Sequence, residues 1–343
     1  MTEAPLDKNG HREFIKPKGV INAPVISVVM SVYNGQKYLR EAVESILEQT
    51  CKNFEFIIIN DGSVDSSREM ILSYDDPRIR LIDNDRNMGL TRSLNKAIGL
   101  SMCEYIARQD VDDISVASRL EKQLRFLENH LQVAVVGCFS NVFNADGVVG
   151  VASYLKPADK EIKRHLAKKN LLMHGSVMMR KSHLAKVGYY REFFRHSQDY
   201  DLWLRLSEHF DIAILPEFLY QYRVTPDAIS VSRFSSQKEY ADIARQLHAE
   251  RLTKGTDSYD VFVQSYPEGL PVRNEVVGKY EYYLYLARVS VNSNRLRQAQ
   301  KELWQAWKLG CRKPYMFYLF LKTLAGVRLL NMLRVLKNLV SRD

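Results

Sequence analysis

Cysteine is scarce: Cys51, Cys103, Cys138 and Cys311 are the only four in 343 residues, and no two form a Cys-x-x-Cys pair. That excludes a zinc-ribbon or disulfide framework and makes a reducing cytoplasm the expected setting. Long apolar runs are missing too. A membrane-spanning helix needs roughly 18 or more apolar residues, and the longest candidate, Pro314–Leu321, falls well short. The opening segment MTEAPLDKNGHREFIKPKG lacks the apolar centre of a secretory signal. Neither Gly-x-Gly-x-x-Gly nor Gly-Lys-Ser/Thr occurs, which argues against a dinucleotide oxidoreductase and a P-loop ATPase.

What is present is an ordinary globular composition, 46% hydrophobic and 26% charged, enough to bury a sizeable core. The length suits two domains, or one large domain with an appendage. The formal net charge of +9 is unevenly spread. Residues 271–343 hold 14 Lys and Arg against 4 Asp and Glu, whereas the first 270 hold 35 against 36. A neutral body and a basic tail imply two chemistries on one chain.

Residues 1–23 read as a flexible, polar arm. Regular structure begins at Val25–Val32, a β-branched run suited to a strand buried on both faces. A helix over Lys37–Thr50, a strand at Phe54–Asn60, a helix over Asp65–Tyr74 and a strand at Arg78–Ile82 follow. This βαβαβ alternation predicts an α/β fold with a doubly wound sheet, whose ligands bind beyond the carboxyl ends of the strands. Tyr33-Asn34, Asp61-Gly62-Ser63 and Asp83–Asn87 therefore share one rim. After a helix at Leu90–Leu100, the strand Glu104–Ala107 delivers Arg108-Gln109-Asp110-Val111-Asp112-Asp113 to the same rim. The predicted organisation is an arm at 1–23, a catalytic domain at 24–235 and a basic helical region at 236–343.

Three aspartates within four residues repel one another unless a cation is near. The Asp110-x-Asp112 spacing suits oxygen ligation of a hard cation such as Mn²⁺ or Mg²⁺. Taken alone, the same residues read equally well as a solvated loop capping the next helix, and Asp61-Gly62-Ser63 as a turn.

In order along the chain, PVISVVMSVYN (Pro24–Asn34), SILEQ (Ser45–Gln49), FIIINDGSVDSS (Phe56–Ser67), RNMGLTRSLN (Arg86–Asn95), YIARQDVDDIS (Tyr105–Ser115), RLEKQ (Arg119–Gln123), HGSVMMRK (His174–Lys181) and QDYDLWLRL (Gln198–Leu206) resemble glycosyltransferase family 2. That resemblance implies an inverting GT-A enzyme, a Rossmann-like mixed sheet using a nucleotide-sugar donor. It implies that Val32, Tyr33 and Asn34 line the nucleotide pocket, that Asp61 contacts the base, that Asp110 lies near ribose and sugar, and that Asp112 binds the metal. Asp199 takes the place of the catalytic base, near the start of an expected helix that favours its ionised form. Asn87 and Arg108 are expected on the donor side as well. His174, Gln198, Trp203 and Arg223 are candidates for the acceptor side or for supporting positions, with core packing the alternative for Trp203 and a loop charge for Arg223. Two positions depart from the family pattern: Gln198 replaces the usual glutamate before the base, and Gly175 replaces a usual proline.

The expected donor is a UDP-, dTDP- or GDP-sugar, and the expected acceptor a glycan or lipid-linked sugar in cell-surface polysaccharide synthesis. A sugar nucleotidyltransferase is the alternative enzyme, but Met30–Gly35 lacks the Gly-rich basic loop it would need. A non-catalytic sugar-binding scaffold is disfavoured by Asp61, Asp112 and Asp199. In the tail, Leu329, Met332, Leu333, Leu336 and Val340 share one helical face with basic residues opposite. Such a helix suits the cytoplasmic face of a membrane, and packing in a bundle or homo-oligomer is its alternative. Nucleic acid is not expected as a partner.

Overall fold

Residues Ile26–Val32 form strand β2, and their side chains alternate between two cores. Val28, Met30 and Val32 pack with helices α1 (Leu39–Leu47), α2 (Ser67–Leu72) and α4 (Arg119–Asn129). Val29 packs on the opposite face with α3 (Leu90–Leu100) and α7 (Gln198–His209). Burial on both faces is why the strand is apolar apart from two small serines, Ser27 and Ser31, the first of which donates to Glu55 at 2.6 Å. The computed structural model describes residues 13–14, 23–145, 147–152, 159–225, 234–267, 269–271 and 280–324.

The other strands are β1 (Glu13–Phe14), β3 (Phe54–Asn60), β4 (Ile79–Asp83), β5 (Tyr105–Arg108), β6 (Ile114–Ser115), β7 (Val133–Asn144), β8 (Gly147–Ala152), β9 (Met178–Arg180) and β10 (Asp211–Arg223). Their order is β1-β4-β3-β2-β5-β9-β7-β10-β6, with β8 paired to β7. Strands β4, β3, β2 and β5 are parallel, and β9 runs antiparallel to β5 and β7. The chain winds outward from β2 through β3 to β4, then returns to place β5 on the other side of β2. The switch point between β2 and β5 opens a crevice at their carboxyl ends. The expected α/β mixed sheet is present, and its helices are shorter than the sequence suggests: Lys37–Thr50 contracts to Leu39–Leu47 and Asp65–Tyr74 to Ser67–Leu72.

The chain divides into two compact units. One comprises residues Met1–Ser140, Ser153–Gln221 and Ser236–Val272, and the other Asn141–Ala152, Tyr222–Ser235 and Arg273–Asp343. Residues 236–272, read from sequence as the start of the tail, thus group with the catalytic unit. The reason is packing. Tyr240, Ala244 and Leu247 of helix α8 (Phe234–Lys254) are buried in the same core as α7. Their spacing puts them on one helical face.

In the second unit, helices α10 (Tyr280–Asn292) and α11 (Leu296–Lys308) form a hairpin whose turn includes Asn294 in the left-handed region. Leu284, Ala287, Val291, Ala299, Leu303 and Ala306 make its core together with Met316 and Leu319. Among the described residues no helix is long and apolar enough to cross a membrane. Of the expected arm, only Glu13–Phe14 and Ala23 are described, and the amphipathic segment at Leu329–Val340 lies outside the described residues.

Candidate active site

Several of the expected residues lie at the carboxyl ends of β2, β3 and β5, but not all of them in the expected role. At the end of β2, Tyr33 is half exposed, presenting its ring to solvent. Val32 is fully buried in the α1 core. Its carbonyl accepts the Asp61 N–H at 2.7 Å, so Val32 shapes the rim through its backbone, and its side chain does not line a pocket. Asn34 adopts a left-handed conformation (φ 52°), which asparagine tolerates. Its side chain accepts the Val64 N–H at 2.9 Å and so ties the two strand ends together.

Asp61 is buried at 2% exposure. Its Oδ1 accepts from Asn84 Nδ2 (2.7 Å) and Met88 N–H (2.8 Å), and its Oδ2 from Gly89 N–H (2.9 Å). The carboxylate therefore holds the 84–89 loop in place. Beside it, Gly62 (φ 73°) lies so near that loop that a Cβ would sit 2.6 Å from the Arg86 carbonyl carbon. Asn87, on the same loop, lines a cavity of about 670 Å³ together with Arg86, Arg92, Glu192, Tyr259 and Tyr266. Tyr259 and Tyr266 belong to the 236–272 segment, so that segment completes a wall of this cavity.

Arg108 corrects the sequence reading most sharply. It is fully buried and faces inward. Its guanidinium donates to the carbonyls of Val29 (3.0 Å) and Gln109 (2.9 Å), to His174 Nε2 (3.3 Å) and to Asp110 Oδ1 (2.5 Å). A side chain so enclosed does not touch a donor; it holds Asp110, whose side chain is 28% exposed. Removing Arg108 takes hydrogen bonds from the Val29 and Gln109 carbonyls and the counter-charge from Asp110, which is partly exposed, at a cost of about 1–3 kcal/mol. Arg108→Met is therefore expected to lower stability by that order in urea unfolding, even though methionine fills much of the space.

His174 accepts from Arg108 and also lies 2.8 Å from the Tyr190 hydroxyl. Burial and the Arg108 charge hold its pKa well below the ordinary value, so the imidazole is neutral and buttresses Arg108. Gly175 has a specific reason to be glycine. A Cβ there would lie 1.9 Å from the Tyr220 hydroxyl and 2.6 Å from Asp110 Oδ2. The absent side chain lets Tyr220 approach Asp110, whose N–H donates to its hydroxyl at 3.4 Å.

Asp199 is the second residue of α7, whose N-cap, Ser197, sits in the left-handed region (φ 56°). Burial raises its pKa to about 6, opposed by a 2.7 Å hydrogen bond from Asn170 Nδ2 to Oδ2 and raised further by Asp110. Gln198 is buried. Trp203 is fully buried in the core, its ring edge-on to His174 at 6.2 Å. Trp203 thus packs in the core, which is the alternative expected for it, and presents no exposed face. Arg223 belongs to the second unit, where it stacks on Phe143 at 4.4 Å.

Asp112 is half-buried on the turn after Asp110. Among the described residues no three His, Cys, Asp or Glu side chains converge into a metal cage. With Asp110 engaged by Arg108, Asp112 is the carboxylate of this turn that would hold a hard cation, whose other ligands would be oxygens from outside the chain. Asn170, Tyr190 and Tyr220 were not foreseen. Asn170 is 29 positions from Asp199 and carries no local signature.

The glycosyl transferase family 2 profile matches residues 27–188, a span that ends before Asp199. An uncharacterized glycosyltransferase of Methanocaldococcus jannaschii is 37% identical over 238 residues, which cover 67% of this chain and 81% of that protein. The putative glycosyltransferase EpsE of Bacillus subtilis is 38% identical over 232 residues, 66% of this chain and 82% of that protein. The amylovoran biosynthesis glycosyltransferase AmsE of Erwinia amylovora is 30% identical over 216 residues, 61% and 80% of the two chains. With its parallel β4-β3-β2-β5 core, antiparallel β9 and rim aspartates, the chain belongs to glycosyltransferase family 2.

Proposed function

We propose that the protein is a metal-dependent, inverting glycosyltransferase that moves a sugar from a UDP-, dTDP- or GDP-sugar to a hydroxyl of a glycan or lipid-linked acceptor in cell-surface polysaccharide synthesis. The observation that carries this reading is Asp199, a buried carboxylate at a helix N-terminus with a pKa near 6, beside an Asp110 held by Arg108. The similarity to a protein of amylovoran biosynthesis supports the polysaccharide context.

Tyr33 offers a face on which a nucleotide base can stack, and Asp61 fixes the 84–89 loop along the donor side. Asp110 orients the sugar through its hydroxyls. Asp112 would hold a Mn²⁺ or Mg²⁺ on the donor's diphosphate; bound there, the cation supplies Lewis-acid stabilisation of the leaving charge. Asp199 accepts the proton of the acceptor hydroxyl as that oxygen bonds to the anomeric carbon. The bond from that carbon to the phosphate oxygen breaks, and its electron pair leaves with the nucleoside diphosphate. One base suffices for a single displacement, whereas a retaining glycosidase places two carboxylates across the bond.

A single displacement fixes the stereochemistry. The anomeric proton coupling of the first-formed product, read by NMR, is expected to show inversion relative to the donor. Retention would exclude a direct attack assisted by Asp199.

A further inference from the structure

Asn170 lies outside every motif that pointed to the family, yet it makes the one side-chain hydrogen bond found on the Asp199 carboxylate among the described residues. Its amide orientation is set by a second bond. Asn170 Oδ1 accepts the Leu172 N–H at 3.1 Å, so the amide oxygen is taken and the NH₂ group must face Asp199 Oδ2. Leu171 and Leu172 are buried in the core, which anchors this loop. A second tether sits one residue away on the other partner: the Tyr200 hydroxyl donates to the Leu166 carbonyl at 2.6 Å. Loop 166–172 is thus fastened at two points to the first turn of the helix that carries Asp199.

We propose that Asn170 is a positioning residue for Asp199: its locked amide fixes the plane of the carboxylate and keeps it in the state that accepts a proton. This rests on the reading of Asp199 as the base. A donor aimed at a carboxylate favours its charged form. Burial works against that form, and Asn170 is the largest influence opposing it. The titratable groups that face Asp199 from other elements are Asp110, on the turn after β5, and Tyr190, with Arg108 and His174 behind Tyr190. All four stay unchanged in the variants below.

Asn170→Asp separates positioning from folding. The new carboxylate keeps an acceptor for the Leu172 N–H but removes the NH₂ donor and adds a like charge. Asn170→Ala removes both bonds and serves as the second variant. In protein labelled with ¹³C at aspartate carboxyls, the Asp199 resonance is assigned by its loss in Asp199→Asn. Its titration midpoint is expected to move to higher pH in both variants, further in Asn170→Asp. For nucleoside diphosphate release from the nucleotide-sugar that the wild type turns over, kcat is expected to fall about 10-fold or more, the scale of a hydrogen bond to a charged group. Donor KM stays within twofold, and the acidic limb of kcat/KM follows the midpoint upward.

An unchanged midpoint and acidic limb in a folded Asn170→Asp protein would overturn the proposal, even if kcat dropped. Failure of the underlying reading looks different. The midpoint would move with Asn170, yet Asp199→Asn would turn over at the wild-type rate.

Discussion

Asp199→Asn is expected to reduce transfer by about 10²–10⁴-fold, the contribution of a positioned general base, while making the folded protein more stable at neutral pH. The two effects have one cause. In the folded state the Asp199 carboxyl keeps its proton up to about pH 6, against an ordinary value of 3.8. A folded-state pKa above the unfolded one means that the native state binds the proton more tightly. Below about pH 4 the group is protonated in both states and carries no penalty. Between pH 4 and 6 the penalty grows, and above pH 6 the ionised, buried carboxylate lowers stability by up to about 3 kcal/mol. Asparagine is neutral throughout and its Oδ1 can still accept from Asn170. Urea unfolding should therefore show a higher midpoint for the variant at pH 8 and coincident curves at pH 4. Equal stability at both pH values would mean that Asp199 is better solvated than the geometry indicates. A residue in the first turn of α7 whose burial weakens the fold is a candidate for chemistry, since desolvated groups with shifted pKa values cluster at functional sites.

The second large effect is expected from Asp112→Asn. If this side chain is the protein's contribution to a cation shared with the diphosphate, its loss removes Lewis-acid stabilisation worth several kcal/mol in the transition state, about 10²–10³-fold in kcat. It should also abolish the Mn²⁺ dependence of nucleoside diphosphate binding in calorimetry, a readout independent of turnover. Asp110→Asn should differ. Asp110 is paired to buried Arg108, so that variant leaves a buried guanidinium without its counter-charge and affects stability as well as rate. An Asp112→Asn protein that keeps Mn²⁺-dependent nucleotide binding would move the metal role elsewhere.

Much of this arrangement was legible from the residues. Ile26–Val32 and Phe54–Asn60 are predominantly apolar without a two-residue alternation because both faces are buried, and each is followed by the polar residues that form the rim. Helix Leu90–Leu100 matched to the residue, since Gly89 before it and Ser101 after it bound its apolar stripe. Less was legible where packing decides. Phe234–Lys254 is a helix by pattern, but nothing local says that Tyr240, Ala244 and Leu247 dock on the catalytic core. Arg108 follows an apolar strand next to an aspartate cluster, and sequence cannot tell a guanidinium that reaches outward from one that turns in beneath Asp110. Asn170 shows the same limit. Its hydrogen bond spans 29 residues of chain and depends on a loop geometry that Leu171 and Leu172 impose from the core. The Gly175 departure from the family pattern became intelligible only with Tyr220 and Asp110 placed around it.

The central claim is that one carboxylate, Asp199, takes the acceptor's proton. Its most direct test is the pH dependence of kcat/KM for glycosyl transfer by the wild-type enzyme and by Asp199→Asn. In the wild type the rate should rise with pH and level off above about 6, following deprotonation of Asp199. In the variant the residual rate should show no such limb. A variant that keeps the wild-type rate and the same limb would contradict the account and assign the proton to another group.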